Sequence, residues 1–174
     1  MEDVLILVDY LDQEIGYEEK MIVHQKHLLH RAFSLFCYHN NLLLLQVRNI
    51  NKYHSGGKIA NSCCSHPRRG EKTDLSVIKR AKEELGINID NPKEIGTILY
   101  YAEFDNGLAE YELDHIFVKE YNGPVDPNLD EIKEIYWQDI DIIENDLRNS
   151  PDKYAAWFKP AFMTFYKWIK ENDK

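Results

Sequence analysis

Three cysteines in 174 residues, at positions 37, 63 and 64, are too few and too unevenly placed for a disulfide framework. A reducing compartment, and hence a cytoplasmic protein, is the natural expectation. No run approaches the roughly eighteen apolar residues that a membrane span requires. Basic side chains are outnumbered by acidic ones, 21 against 30, and the net charge of −9 repels phosphate backbones. General nucleic-acid binding is therefore disfavoured, and any anionic ligand would need a local basic pocket or a metal ion. The opening MEDVLILVDYL starts acidic and lacks both a basic leader and a small-residue cleavage site, so a secretory signal is not expected. No fixed-period repeat, low-complexity tract or glycine-rich dinucleotide fingerprint appears, and flavin is not implied.

Apolar residues make up 44% of the chain, enough to bury a core, and the length suits one domain spanning 1–174. Its core is expected at about 28–140, with C-terminal helices over 140–172. Val4 to Tyr10 reads as a strand, and the polar stretch Asp12 to Lys20 as loop. His30 to Cys37 and Leu42 to Val47 form a predicted hairpin around His39-Asn40-Asn41. Asn49 to Pro67 has little periodicity and reads as one long loop, which in a compact domain is usually functional. Thr73 can cap a helix that runs to Leu85, with Val77, Ile78, Ala81 and Leu85 as its apolar stripe and Gly86 as its stop. Ile95 to Phe104 and Tyr111 to Tyr121 read as strands joined at Asp105-Asn106-Gly107. Ile132 to Trp137 reads as a strand, and Ile140 to Arg148 and Tyr154 to Glu171 as helices. Mixed strands, helices and hairpins indicate an α/β sandwich on a mixed sheet.

Ligand-type side chains concentrate in three segments. These are VHQKHLLHRAFS with His24, His27 and His30, the run Cys63-Cys64-Ser65-His66-Pro67, and Glu110-Tyr111-Glu112. Residues two apart on a strand share a face, so Glu110 and Glu112 project together. A set of imidazoles and carboxylates suits zinc, manganese or magnesium better than a soft metal. Taken singly, each of these side chains is as readily explained as a solvated surface group.

The predicted helix carries a further pattern. Glu71, Glu83, Glu84, Gly86 and Ile87 fall in register with the Nudix box, which this segment resembles. Ser65 stands where the box has its first glycine, and Lys79-Arg80 replaces its Arg-Glu. The replaced glutamate is one that hydrolases of that family use to hold metal, so the resemblance implies the fold and speaks against the hydrolysis.

With LLHRAFS (residues 28–34), NSCCSHP (61–67), KRAKEELG (79–86) and EYE (110–112) in view, the chain resembles the type 1 isopentenyl-diphosphate isomerases. These are Nudix-fold enzymes, and the resemblance implies a Nudix-like α/β/α sandwich. The implied reaction protonates the alkene of isopentenyl diphosphate to a tertiary carbocation. Loss of a proton from the neighbouring carbon then yields dimethylallyl diphosphate. Two proton-transfer groups on opposite faces of the alkene are needed, and by match to the motifs these are Cys64 and Glu112. Tyr100 matches a tyrosine near that glutamate, and Trp157 a tryptophan whose π-face shields the cation, whereas Trp137 and Trp168 read as core aromatics.

The resemblance also implies a manganese or zinc ion on His24, His30, His66, Glu110 and Glu112. His27 matches no ligand and reads as a solvated loop residue, and Cys63 receives no role. A magnesium ion is implied between Glu84, the Cys64 carbonyl and the substrate diphosphate, with Lys20, Arg48, Lys52 and Arg80 as further cations. Ile59-Ala60 departs from the family's Trp-Thr, which implies a less bulky pocket wall. The implied partner is a small prenyl diphosphate, taken by a monomer or weak dimer. Two other readings stand beside this one. Glu83-Glu84 would suit a hydrolase of nucleoside or prenyl diphosphates, and the His/Glu set would suit a non-catalytic metal-binding or prenyl-diphosphate-sensing module.

Overall fold

The computed structural model describes residues 3–172, and among them nine strands join in one mixed sheet. Its hub is β3 (His30–His39). One edge of β3 runs parallel to β8 (Ala109–Glu120), from His30 opposite Glu112 to Tyr38 opposite Glu120. The other edge is shared in turn by β1 (Val4–Val8), β6 (Cys63–Ser65) and β4 (Leu42–Arg48). β1 pairs antiparallel with β2 (Glu14–Glu19). β4 carries β5 (Ile59–Ala60) and β9 (Ile132–Asp139), and β7 (Lys93–Glu103) forms a hairpin with β8.

Strand alternation sorts the core into two layers. Phe33, Leu35, Cys37 and Leu44 face α2 (Thr73–Leu85) through its Val77, Ala81 and Leu85. The alternate residues Phe36, Leu43 and Leu45, with Ile116 and Val118, face α3 (Ile140–Asn149) and α4 (Phe158–Asn172). Phe36 and Phe165 stack with ring centroids 5.0 Å apart. Each such buried side chain contributes about 1.5–3 kcal/mol. The outcome is the expected α/β/α sandwich, and Trp137 and Trp168 pack half-buried against its two layers.

The β3–β4 hairpin separates after two residue pairs, and the chain from Ile59 to Ser65 threads the gap. Ser62 bridges the split. Its Oγ accepts from the Cys37 N–H at 2.8 Å and donates to the Leu44 carbonyl at 2.7 Å, while Gln46 Nε2 donates to its carbonyl at 3.0 Å. Asn61 Nδ2 donates to the carbonyls of Leu35 and Cys63. These fully buried side chains replace the ladder bonds that the separated strands lose. Cys64 is thereby fixed at the mouth of the split.

Several local expectations change. The stretch read as loop over residues 12–20 contains the edge strand β2, and Glu19 caps α1 (Lys20–Gln25) by accepting from the N–H groups of Met21 and Ile22. An exposed edge strand needs only one partner, so its polar sequence hid it. The loop read over 49–67 contains β5 and β6, too short for periodicity to show. Lys72, not Thr73, occupies the N-cap of α2. Its side chain makes no capping hydrogen bond, and the nearby carboxylate of Glu71 instead accepts from Arg68 N–H and Ser76 Oγ. The last helix starts at Phe158, because Tyr154 is held in a bridge to Ile59 and a 3-10 turn, Pro151–Lys153, precedes it.

Gly86 ends α2 at φ +65°, and a Cβ there would lie 2.6 Å from the Asp126 carbonyl oxygen. That close approach lets Asp126 N–H donate to the Leu85 carbonyl, and Asn128 N–H to that of Glu84. Gly86→Ala is expected to cost about 1–2 kcal/mol from backbone strain, with the clash adding to it. Urea melts of the two proteins check this, and an equal midpoint would refute the argument.

Candidate active site and metal centre

The seat of the site follows from α1, the start of β3 and the start of β8. His27, at φ +55°, turns the chain between α1 and β3, so that His24 and His30 meet with ring centroids 5.3 Å apart. His24 Nδ1 donates to the Lys20 carbonyl at 2.7 Å, and His30 Nδ1 to the Leu28 carbonyl at 2.9 Å. In the neutral ring this leaves each Nε2 as a lone pair. Both Nε2 atoms are buried without a hydrogen-bond partner among the described residues. His66 follows β6 and brings its ring to 4.9 Å from that of His30. His27 is half-buried and bonded to the Gly107 carbonyl, facing away from this group instead of lying free in solvent.

Glu110 and Glu112 project from β8 toward the three imidazoles and are 4% and 6% exposed. His30 Nε2 lies 3.5 Å and His66 Nε2 2.9 Å from Glu112 Oε1, and His24 Nε2 is 3.9 Å from Glu110 Oε1. The donor atoms of His24, His30 and His66 fall within 4.8 Å of one another, as do those of His66, Glu110 and Glu112. Orphaned Nε2 atoms with two facing carboxylates fit a divalent metal ion. Burial works to raise both carboxyl pKa values. Contacts from His24 and His54 outweigh it at Glu110, which stays well below the usual range. At Glu112, burial and the charge of Glu110 are outweighed by His30 and His66. Burial pushes His66 down to about 4, so it stays neutral, as a ligand must.

Beside this group opens a cleft of about 600 Å³ including its mouth. Cys64, Glu112 and Trp157 line it, together with His66, Glu110, Glu84, Lys20, Arg48, Lys52 and Arg80. Cys64 pairs with Ser34 on one edge of β3, and Glu112 lies across the other edge, so the two come from opposite flanks of the hub strand. Burial, relieved in part by Arg48, pushes the Cys64 thiol well up, and it stays protonated. Tyr100 stands opposite Glu112 in the β7–β8 ladder, with its hydroxyl buried and unpartnered among the described residues. Its ring packs with Cys64, Ala60, Ala155 and Trp157. Trp157 is fixed by its indole N–H, which donates to Asn61 Oδ1 at 3.1 Å. Of the pair expected to leave a less bulky wall, Ile59 packs partly buried against the α3–α4 layer, and Ala60 is buried in one cluster with Tyr100 and Trp157.

The cations converge from four elements, each already engaged. Arg48 lies 4.9 Å over the Trp157 ring, Lys20 5.2 Å over Tyr53, and Lys52 pairs with Glu131. Arg80 donates to Glu84 at 2.5 Å and to Glu83 at 2.7 Å. Cys63, given no role by sequence, donates its S–H to Glu84 at 3.3 Å. Sequence reasoning also passed over His54 and Asp114. His54 is buried against Glu110, and the only sign of it was its place in the long loop. Asp114, two residues beyond Glu112 on the same face, accepts from Ser34 Oγ at 2.8 Å. Burial and the Glu112 charge raise its pKa well above the usual range, so it is held as a neutral acid.

Residues 28–158 match the NUDIX domain. "Isopentenyl-diphosphate Delta-isomerase 2" of Photorhabdus laumondii is 42% identical over 161 residues, covering 91% of this chain and 90% of that protein. "Isopentenyl-diphosphate Delta-isomerase" of Serratia proteamaculans is 40% identical over 174 residues, covering 99% and 94%. Among solved structures, DR0079 from Deinococcus radiodurans superposes with a TM-score of 0.73 at 15% identity, covering 94% of this chain and 98% of that one. The MutT protein from Methanosarcina mazei does so with 0.63 at 19%, covering 84% and 96%. At such identities the structural likeness speaks for the fold alone.

A divalent metal ion held by these side chains would stabilise only the folded chain. At about 100 times its dissociation constant it is expected to add about 2.7 kcal/mol, or roughly 5–10 °C in Tm. Thermal melts with Mn2+ or Zn2+, and again after chelation, measure this. A melting curve that ignores both additions would sever the link.

Proposed function

Because the chain belongs to the isopentenyl-diphosphate Delta-isomerase family of NUDIX-domain proteins, we propose that Cys64 and Glu112 carry that isomerisation across the cleft. The observation that supports it is their placement on opposite flanks of β3, facing one cavity. Isopentenyl diphosphate enters tail first. One of the two groups delivers a proton to the terminal alkene carbon, which leaves a tertiary carbocation. The other removes a proton from the neighbouring carbon, and the electron pair of that C–H bond closes the new double bond of dimethylallyl diphosphate. The reaction is reversible, so each group acts as acid in one direction and base in the other.

The remaining residues act on the two ends of the substrate. Trp157 offers its π-face to the cation, an interaction of about 2 kcal/mol when desolvated. Tyr100, packed beside Cys64 and in register with Glu112, keeps water from the reacting carbons. Lys20, Arg48, Lys52 and Arg80 receive the diphosphate by exchanging their present carboxylate and aromatic partners for it. His24, His30, His66, Glu110 and Glu112 would hold a manganese or zinc ion, which would help set the protonation of Glu112, and Glu84 with the Cys64 carbonyl would hold a magnesium ion to screen the diphosphate. This is a step of isoprenoid precursor biosynthesis, and a cytoplasmic setting suits three unpaired cysteines.

Arg80 separates this reading from diphosphate hydrolysis. It fills the slot where the Nudix box has a glutamate, and its guanidinium occupies Glu83 and Glu84 together. Cys64→Ala and Glu112→Gln are each expected to lower turnover roughly 100-fold or more while circular dichroism shows the fold retained. The assay is acid-labile allylic product formed from isopentenyl diphosphate and magnesium. Near-normal turnover by either variant, or release of phosphate in place of isomerisation, would overturn the assignment.

A further inference from the structure

The loop from Tyr53 to Gly57 is built to send one side chain inward. Ser55 and Gly57 take left-handed φ of +55° and +78°, and a Cβ on Gly56 would fall 2.4 Å from the Ile50 carbonyl oxygen. This tight turn, anchored by Asn106 Nδ2 donating to the Tyr53 carbonyl, drives His54 into the protein. The imidazole stacks on Phe104 at 4.4 Å and 7° and meets Trp157 edge-on at 5.8 Å. Its Nε2 reaches to 2.5 Å from Glu110 Oε1, closer than any other imidazole nitrogen comes to that carboxylate among the described residues. Like those of His24 and His30, this Nε2 is buried with no other partner among the described residues, but of the three it alone lies directly against Glu110. His54 is also absent from both groups of converging ligand atoms.

We infer that His54 is a positioning residue, whose Nε2–H holds the Glu110 carboxylate in place for the metal centre and ties that centre to the aromatic wall formed by Phe104 and Trp157. This rests on the five-ligand reading above. A carboxylate on a short side chain has rotamers that turn it away from the imidazoles. A donor locked by stacking removes that freedom and preorganises the ligand. Outer partners of this kind are worth about 10–100-fold in metal affinity.

Two substitutions divide the roles of the ring. His54→Phe keeps a flat ring on Phe104 but has no donor, and His54→Gln keeps an N–H donor but no ring. The metal-free chain and both variants are titrated with Co2+ alone and followed by its visible absorption bands. The Phe variant is expected to bind Co2+ about 10–100-fold more weakly with altered bands, and the Gln variant to stay within a few-fold of the parent. If the larger ring does not fold, His54→Leu, also without a donor, takes its place. Parental affinity in the donor-free variant overturns the inference, as does an equal loss in the Gln variant, which would mean that packing alone matters. Failure of the parent chain itself to take up Co2+ would overturn the five-ligand centre and this role with it.

Discussion

Two carboxylates, Glu110 and Glu112, lie buried two residues apart on a single strand, and the surrounding structure answers the cost of keeping them there. Burial and mutual repulsion both oppose their ionisation. Four imidazoles, from α1, β3, the 53–57 loop and the end of β6, offset that cost. Removing one partner of a buried charge typically costs about 3–5 kcal/mol, so these segments are held together by the same groups that form the site. The neutral acid Asp114 completes the arrangement, since a third ionised carboxylate on this face would undo it.

The helix α2 shows how the scaffold of a hydrolase family serves other chemistry. Its box carboxylates are present but differently employed. Glu71 ties the preceding turn to Ser76, Glu83 faces outward against Arg80, and Glu84 alone of the three lines the cleft. Lys79 and Arg80, standing where the box has Arg-Glu, satisfy Glu71 and the Glu83-Glu84 pair. On the opposite rim, the splitting of β3 from β4 makes room for Cys64. Ser62 and Asn61 span that split with buried hydrogen bonds, and Asn61 also orients Trp157. The seam that positions the thiol thus also positions the indole.

Much of this was legible in the chain. The alternation from His30 to Cys37, the turn residues at 39–41 and 105–107, and the stripe from Val77 to Leu85 with Gly86 behind it are local signals, and their elements form close to where they were read. Elements whose stability comes from a neighbour were not legible. β2 is polar because one edge and one face meet solvent, and β5 and β6 consist of two and three residues held by the side chains of Ser62 and Asn61. His54 carried no motif, because its contact with Glu110 spans 56 positions and depends on a turn rather than a pattern.

The amino-acid sequence by itself determined the kinds of groups available: three histidines and two alternate glutamates suited to a hard divalent ion, a thiol beside one of them, and a helix whose box had lost an acid. It could do so because ligand type and strand or helix period are properties of neighbouring residues. Only the tertiary structure decided which imidazole nitrogens point inward unpaired, that Cys64 and Glu112 flank one cavity, and that the cations sit paired around it. Those facts depend on the parallel register of β3 and β8 and on the parting of β3 from β4, and distance in space is not written in the order of the chain.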